Sequence, residues 1–399
     1  MLQDVAYRAG TVWLVKPTAR PFRDGYHSRM KFDDDASWMD RALDEARAAL
    51  FLASPNPRVG CIIVGPQGGM LGRGFTQHAG GPHAEIMALR DARERGHSLA
   101  GATAYVTLEP CSHHGRTGPC CDALVEAGIS RVVASLADPN PLVAGKGFAR
   151  LRAAGVQVEV GPGAEASRDL NIGFFSRMVR NTPWVRLKVA ASLDGATALR
   201  DGTSQWITGA AARADGHAWR ARSCAVLTGI GTLLADNPRL DVRAVPTDRQ
   251  PALVLVDSAL QVPLDASVFV AQRAVFIFTA VENGPKQKAL EERGATVVVM
   301  PDSAGKVDLS AMVRDLALRQ INELHVEAGY KLNGSLLRSG LVDELLVYLA
   351  PKLIGAGLGM ASLAPLTALS QAQALAFHAI DRVGDDVRIL ARLEGRDRF

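Results

Sequence analysis

PHAEIMALR at residues 82–90 and LEPCSHHGRTGPCCDAL at residues 108–124 decide how the first half of this chain folds. Each stretch runs through a proline into an apolar periodic segment. Pro82 suits the first turn of a helix, and Ile86, Leu89 and Ala92 behind it recur at helical spacing. Pro119 likewise precedes Cys120 and the apolar positions Ala123, Leu124 and Ala127. TAYVTLE at 103–109 reads as a buried strand feeding the loop that carries Cys111. The pattern is strand, turn and helix, with the chemistry-bearing residues at helix starts. His83 and Glu85 are two apart and in mid-helix would point to different faces. Near a helix N-terminus both lean over one cleft, where the dipole favours a hydroxide or carboxylate. A cysteine at such an end has a lowered pKa.

His83, Cys111 and Cys120 together offer one imidazole and two thiolates, and Glu85 adds a free carboxylate. Three protein ligands leave the fourth tetrahedral position of a zinc ion to water. The metal draws the pKa of that water towards neutrality, and a glutamate within reach shuttles its proton. His-x-Glu followed by Pro-Cys and a second cysteine is the pattern of zinc-dependent base deaminases. Cys121 is a rival for Cys120; the ligand role is assigned to Cys120. His113 and His114 are further possible donors, in a Gly-rich polar loop that suits contact with substrate or solvent. Taken singly, a cysteine pair is ordinary core packing and His-Ala-Glu arises by chance. The ordered combination carries the reading.

Composition narrows the class. The 399 residues are 48% hydrophobic and 22% charged, a globular balance whose length suggests two domains. Five cysteines, two of them assigned to zinc, argue against a disulfide framework. There is no run of 18 apolar residues to span a membrane, and Met1 to Lys31 has no apolar signal core. A cytoplasmic protein without membrane attachment is expected. The net charge of +4 fits anionic small molecules and argues weakly for nucleic acid. Residues 1–34 read as a poorly patterned N-terminal extension, with Met30 a possible start, and the first helix is expected near Ser37.

SPNPRVGCIIV at 54–64 and GRGFTQHAGGPHAE at 72–85 complete a recognisable set. With the two stretches above, the first half resembles the deaminase domain of the bifunctional riboflavin-biosynthesis deaminase/reductase family. That family carries S-x-N-P-x-V-G, then H-A-E, then E-P-C-S-H-x-G-R-T-x-P-C. Nucleoside and tRNA deaminases space their cysteines as C-x-x-C, whereas here eight residues separate Cys111 from Cys120. The resemblance implies that Asn56 contacts the pyrimidine base. Arg116 is suited to a substrate phosphate or carbonyl. Many relatives have a histidine where this chain has Thr76; its own His78 lies two positions later.

The chain changes character near Asn181-Thr182-Pro183. TPWVRLKVAASLDGATA opens a new strand and turn, and strands are expected at 252–257, 274–279, 296–300, 323–329, 343–351 and 386–393. No G-x-G-x-x-G follows the first of these strands, so a dinucleotide-binding fingerprint of that kind is absent. The strand ending at Glu327-Ala328-Gly329, followed by Leu332-Asn333-Gly334-Ser335, looks like a phosphate-binding turn. KVAASLDG, SQWIT, WRARSCAVLTGIGTLLADNPRL and VEAG…NGSLL are similar, in the same order, to the reductase half of the same family. Together the two resemblances cover residues 37–394.

The resemblance implies an α/β fold: an N-terminal cytidine-deaminase-like three-layer α/β/α domain, then a dihydrofolate-reductase-like α/β domain. The expected division is 1–34, 35–181 and 182–399. It implies Zn2+ and NADPH as cofactors, a small phosphorylated pyrimidine as substrate, and a homodimer through the reductase half. Ala190, Trp206, Thr232, Asp236, Ser258, Gly329, Leu332, Asn333, Gly334 and Ser335 are implied at the NADPH site. Asn56, Lys188, Ser204, Arg220, Leu240, Arg243 and Glu327 are implied at substrate. The residue chemistry agrees: Arg220 and Arg243 suit a bidentate grip on a ribose phosphate, and Glu327 suits sugar hydroxyls or proton transfer. Trp206 alternatively belongs to the core. The implied reactions are hydrolytic deamination of 2,5-diamino-6-(5-phosphoribosylamino)pyrimidin-4-one to 5-amino-6-(5-phosphoribosylamino)uracil, then reduction of the ribosyl group to ribityl.

Overall fold

The computed structural model describes residues 34–112 and 118–399, and the structural statements below concern these. The readings of residues 1–33 and of His113, His114 and Arg116 lie outside them. Asp34, placed in the extension by the sequence, caps α1 (Asp35–Ala48), its carboxylate accepting from the Ser37 N–H at 2.9 Å. The cap moves the helix start two residues ahead of the expected Ser37.

The first sheet has five strands in the order β2-β1-β3-β4-β5: β1 (Gly60–Val64), β2 (Met70–Phe75), β3 (Thr103–Val106), β4 (Arg131–Ala134) and β5 (Gln157–Val160). β1 is antiparallel to β2 and β3, while β3, β4 and β5 run parallel. Trp38, Met39 and Leu43 of α1 pack on one face against Ile62, Val64 and Val133. The other face packs against α2 (Ala84–Glu94), α3 (Cys120–Glu126) and α4 (Lys146–Ala153) around Ile63, Val106 and Leu124. This is the expected three-layer arrangement. It also fixes the ligand-bearing helix. A Cβ on Gly72 would lie 2.3 Å from the Ala88 carbonyl, and one on Gly74 2.5 Å from the Ala88 nitrogen. Glycines on β2 and alanines on α2 therefore seat the helix directly on the strand. α5 (Ala164–Leu170) and α6 (Ile172–Arg180) follow.

The second sheet has nine strands in the order β10-β9-β8-β7-β11-β6-β12-β14-β13. They are β6 (Trp184–Ser192), β7 (Ala225–Gly229), β8 (Ala252–Val256), β9 (Val275–Thr279), β10 (Ala295–Val299), β11 (Glu323–Val326), β12 (Glu344–Ala350), β13 (Leu375–Val383) and β14 (Asp386–Leu393). From β10 to β12 every neighbouring pair is parallel; β14 and β13 close the sheet antiparallel. The helices α7 (Ala210–Arg222), α8 (Ile230–Asp236), α9 (Gly284–Glu292), α10 (Leu309–Leu318) and α11 (Tyr330–Arg338) connect the strands. The strands expected from sequence all form, with the one at 323–329 ending at Val326. Sequence reading missed β7, a short buried strand that runs straight into α8, and β13, whose residues are mostly exposed. An edge strand with little buried surface carries no inward apolar alternation.

Candidate active sites

His83 is the N-cap of α2, Cys120 opens α3, and Cys111 stands on the loop after β3. The His83 Nδ1 lies 3.6 Å from the Cys111 sulfur and 3.4 Å from the Cys120 sulfur. All three donor atoms fall within 4.8 Å of one another. Zn–S and Zn–N bonds of about 2.3 and 2.0 Å at tetrahedral angles place neighbouring donors about 3.6 Å apart. The donor set and its spacing therefore fit zinc. The Cys120 N–H also points at the Cys111 sulfur, 3.4 Å away, so a helix N-terminus faces that ligand.

Hydrogen bonding among the three donors sets their protonation. Hydrogen bonding from Cys120, and then from His83, draws Cys111 down to about 4, while the same contact and burial push Cys120 up. His83 is raised to about 9, first by its hydrogen bond to Cys111. Cys121 behaves differently. Its buried thiol donates to the Pro110 and Gly147 carbonyls, and burial raises it to about 12. Packing thus turns Cys121 away from the group formed by His83, Cys111 and Cys120. Glu85 sits in the first turn of α2, buried, and burial raises it to about 7. A carboxyl poised there exchanges protons in both directions near neutral pH.

Sequence reading passed over Glu109, next to the Pro-Cys. Its carboxylate accepts from the N–H groups of Asp138 (3.1 Å), Gly145 (2.9 Å), Gly147 (2.9 Å) and Phe148 (3.3 Å). It thereby fixes the DPNP loop and the start of α4 behind Cys111. The signal was a charged residue at the end of a buried strand. Thr76 is buried, and its hydroxyl accepts from the Val59 N–H at 3.2 Å. His78 lies with its Nε2 3.8 Å from Asp248.

The second site is a cavity of about 1280 Å3 beside the C-terminal ends of parallel strands in the nine-stranded sheet. Among the implied cofactor residues, Ala190, Trp206, Thr232, Asp236, Ser258, Gly329, Leu332, Asn333 and Ser335 line it. So do Lys188, Ser204, Arg220, Leu240, Arg243 and Glu327. Gly334 is not among the lining residues: a Cβ there would lie 2.2 Å from the Ser362 carbonyl. Its glycine serves packing of α11. Trp206 is 66% exposed with Arg213 over its ring, so it is a wall residue and not core.

Charge in this cavity is already paired. Glu327 takes Nε and Nη2 of Arg220, the latter at 2.9 Å, with Lys188 at 3.6 Å and His325 at 3.4 Å. The Arg220 Nη1 donates to the Asp241 carbonyl at 3.1 Å. Arg220 thus already makes a bidentate pair with a carboxylate of the protein. Despite its burial, Arg220 and Lys188 hold Glu327 well below the carboxylate range. Arg239 and Arg243, both half-exposed, converge on the Asp241 carboxylate at 2.6 Å each. His217, also missed, lines the cavity with its Nδ1 3.4 Å from the Arg243 N–H. Burial, then Arg220 and Arg243, lower it to about 4, so it is neutral.

Two sites of this chemistry in this order have known counterparts. Residues 183–388 match the family model described as the RibD C-terminal domain. Residues 32–136 match the cytidine and deoxycytidylate deaminase zinc-binding region. The riboflavin biosynthesis protein RibD of Escherichia coli K12 is 45% identical over 362 residues, 88% of this chain and 98% of that protein. The chain belongs to the RibD family. Its counterpart in Aquifex aeolicus is 38% identical over 89% of this chain and 97% of that one. Acinetobacter baumannii RibD superposes with a TM-score of 0.82 at 38% identity, covering 91% of this chain and 99% of that chain. The deaminase/reductase of Thermotoga maritima does so at 0.80 and 33% identity, covering 90% and 98%.

The protein is thus a bifunctional enzyme of riboflavin biosynthesis, with zinc and NADPH as cofactors. It deaminates the diaminopyrimidinone phosphate hydrolytically and then reduces the ribosyl group of the uracil product to ribityl. Among the described residues, no helix is long and apolar enough to cross a membrane.

Proposed function

We propose the following division of roles. His83, Cys111 and Cys120 hold the zinc, and Glu85 moves protons. The observation that carries this is the set of three donors at tetrahedral spacing with a buried carboxyl on the same helix start. When bound, zinc supplies the Lewis acidity that makes water a nucleophile near neutral pH. Glu85 takes a proton from the water that adds to the ring carbon bearing the 2-amino group, and returns it to the amine that leaves as ammonia. Asn56 orients the base from the loop before β1.

In the second half, Ala190, Trp206, Thr232, Asp236, Ser258 and the 329–335 turn would hold NADPH, which when bound would supply the hydride for reduction at C1′ of the ribosyl group. Gly334 supports that turn from behind. Glu327, ionised, orients Lys188 and Arg220 and accepts from sugar hydroxyls. The exposed guanidiniums of Arg239 and Arg243 take the ribose phosphate. Ser204 and Leu240 complete the substrate wall. The deaminase domain is 35–181 and the reductase domain 182–399, which the two separate sheets favour.

The enzyme acts in the cytoplasm as a homodimer through the reductase half. Five unpaired cysteines suit a reducing compartment. β13 ends the nine-stranded sheet with Phe377 and Ile380 exposed at 69% and 58%, an edge that calls for cover. Phe377→Glu is expected to give monomers in sedimentation. The function is tested by mass spectrometry of the diaminopyrimidinone phosphate after incubation with zinc-loaded protein. A gain of about 1 Da without NADPH and about 2 Da more with it supports both steps. No gain without NADPH refutes the deaminase assignment.

A further inference from the structure

The loop that carries Asn56 belongs to the deaminase half, yet much of its anchoring comes from the reductase half. Ser54 accepts from the buried Cys224 thiol at 3.5 Å. The Pro55 carbonyl accepts from the Asn322 side-chain amide at 2.8 Å. Arg58 is 4% exposed, and its guanidinium reaches Glu323 at 2.5 Å and the Arg222 carbonyl at 2.8 Å. Within its own half, Arg58 donates to the Leu170 carbonyl, and its backbone pairs with the Asn171 side chain on both sides. These anchors stand on either side of Asn56, whose own N–H makes only a local bond to the Ala53 carbonyl at 2.9 Å.

Glu323 is a firm anchor. It is fully buried at the start of β11 and also receives Arg186 at 3.0 Å and Arg222 at 2.8 Å. Three guanidiniums keep it ionised against the cost of burial. Asn322, beside it, faces two ways: its amide nitrogen holds Pro55 and its oxygen accepts from Arg177. A base-contacting side chain is effective only if its backbone is held to within a fraction of an ångström.

We infer that Asn322 and Arg58 are positioning residues for deamination: the reductase half sets the Asn56 loop through the Asn322–Pro55 and Glu323–Arg58 contacts. This rests on the reading of Asn56 as the base contact. The discriminating variant is Asn322→Asp, which keeps the acceptor for Arg177, removes the donor to Pro55 and turns a carboxylate oxygen against that carbonyl. In the zinc-loaded full chain, ammonia release without NADPH is expected to show KM raised about tenfold with kcat within about twofold. Zinc content and the KM values of reduction stay unchanged. Arg58→Met shifts KM the same way, and Arg58→Lys recovers part of the loss. Should Arg58→Met fail to fold, Asn322→Asp still decides.

An unchanged deamination KM in folded Asn322→Asp overturns the inference, as does a parallel loss of reduction. Asn56→Ala separates the premises. If it leaves deamination KM unchanged, the base-contact reading fails and takes the inference with it. If it raises KM while Asn322→Asp does not, only the inference fails.

Discussion

The two active sites handle charge in opposite ways. Around His83, metal-ligating donors converge on one another: two sulfurs lie 3.4–3.6 Å from the imidazole, with a buried carboxyl nearby. Around Glu327, the carboxylate already has a guanidinium, an ammonium and an imidazole within 3.6 Å. The first site is finished by a metal; the second is organised before any ligand arrives. Buried anionic donors are costly unless a cation meets them, whereas a paired carboxylate gives fixed geometry at once. The difference teaches that metal removal should disable one site and spare the other, and that single-charge changes should hurt the second site more gradually.

Cys111→Ser offers the harshest test. Zinc is expected to be lost and ammonia release to fall below detection, while NADPH affinity, read by fluorescence titration, stays at the wild-type value. A collapse of NADPH affinity would show that the sites are not independent in this respect. Glu85→Gln keeps the metal, by elemental analysis, and lowers deamination about 10²–10⁴-fold. Substantial remaining turnover would remove Glu85 from proton transfer. Glu327→Gln takes one charge out of a preorganised cluster and should cost reduction about 10–100-fold in kcat/KM, with deamination unchanged. Equal losses in both reactions would break the contrast.

The smallest effect concerns His217. Its usual pKa of 6.5 is depressed to about 4, so folding favours the neutral form. Its contribution to stability is whole above pH 6.5 and is lost as pH falls through about 4. The full shift would be worth about 3 kcal/mol, and screening at a solvent-filled cavity wall reduces that to about 1 kcal/mol. Thermal melts of wild type and His217→Gln should therefore converge or cross between pH 6.5 and 4. Parallel curves would place His217 in a more open setting.

The zinc centre was legible because its donors sit in two short stretches, each at a helix start marked by proline. Local periodicity and residue chemistry suffice there. The sequence favours Cys120 over Cys121, but adjacent cysteines differ only in which way the first turn of α3 faces, and that is seen only in the fold. In the reductase half the motifs lead to residues that line one cavity, yet the pairing of Arg220 was not foreseen. Its partner Glu327 lies 107 positions away, and no local signal connects them. Gly334 was read as a phosphate-binding glycine, while its reason is the Ser362 backbone on the other side. Asp34, Glu109 and Asn322 act through single hydrogen bonds or small cradles that leave no periodic trace.

The sequence by itself determined the class of each domain and brought forward the candidate metal donors and the carboxyl proposed to move protons, because these follow from residue chemistry at fixed local spacing. Tertiary structure alone decided which charges are free to meet a substrate. It joined Arg58 to Glu323 across 265 positions and tied Arg220 to Glu327. The physical reason is desolvation: once buried, a charged or polar group must take the partner that folding brings beside it, however distant in the chain.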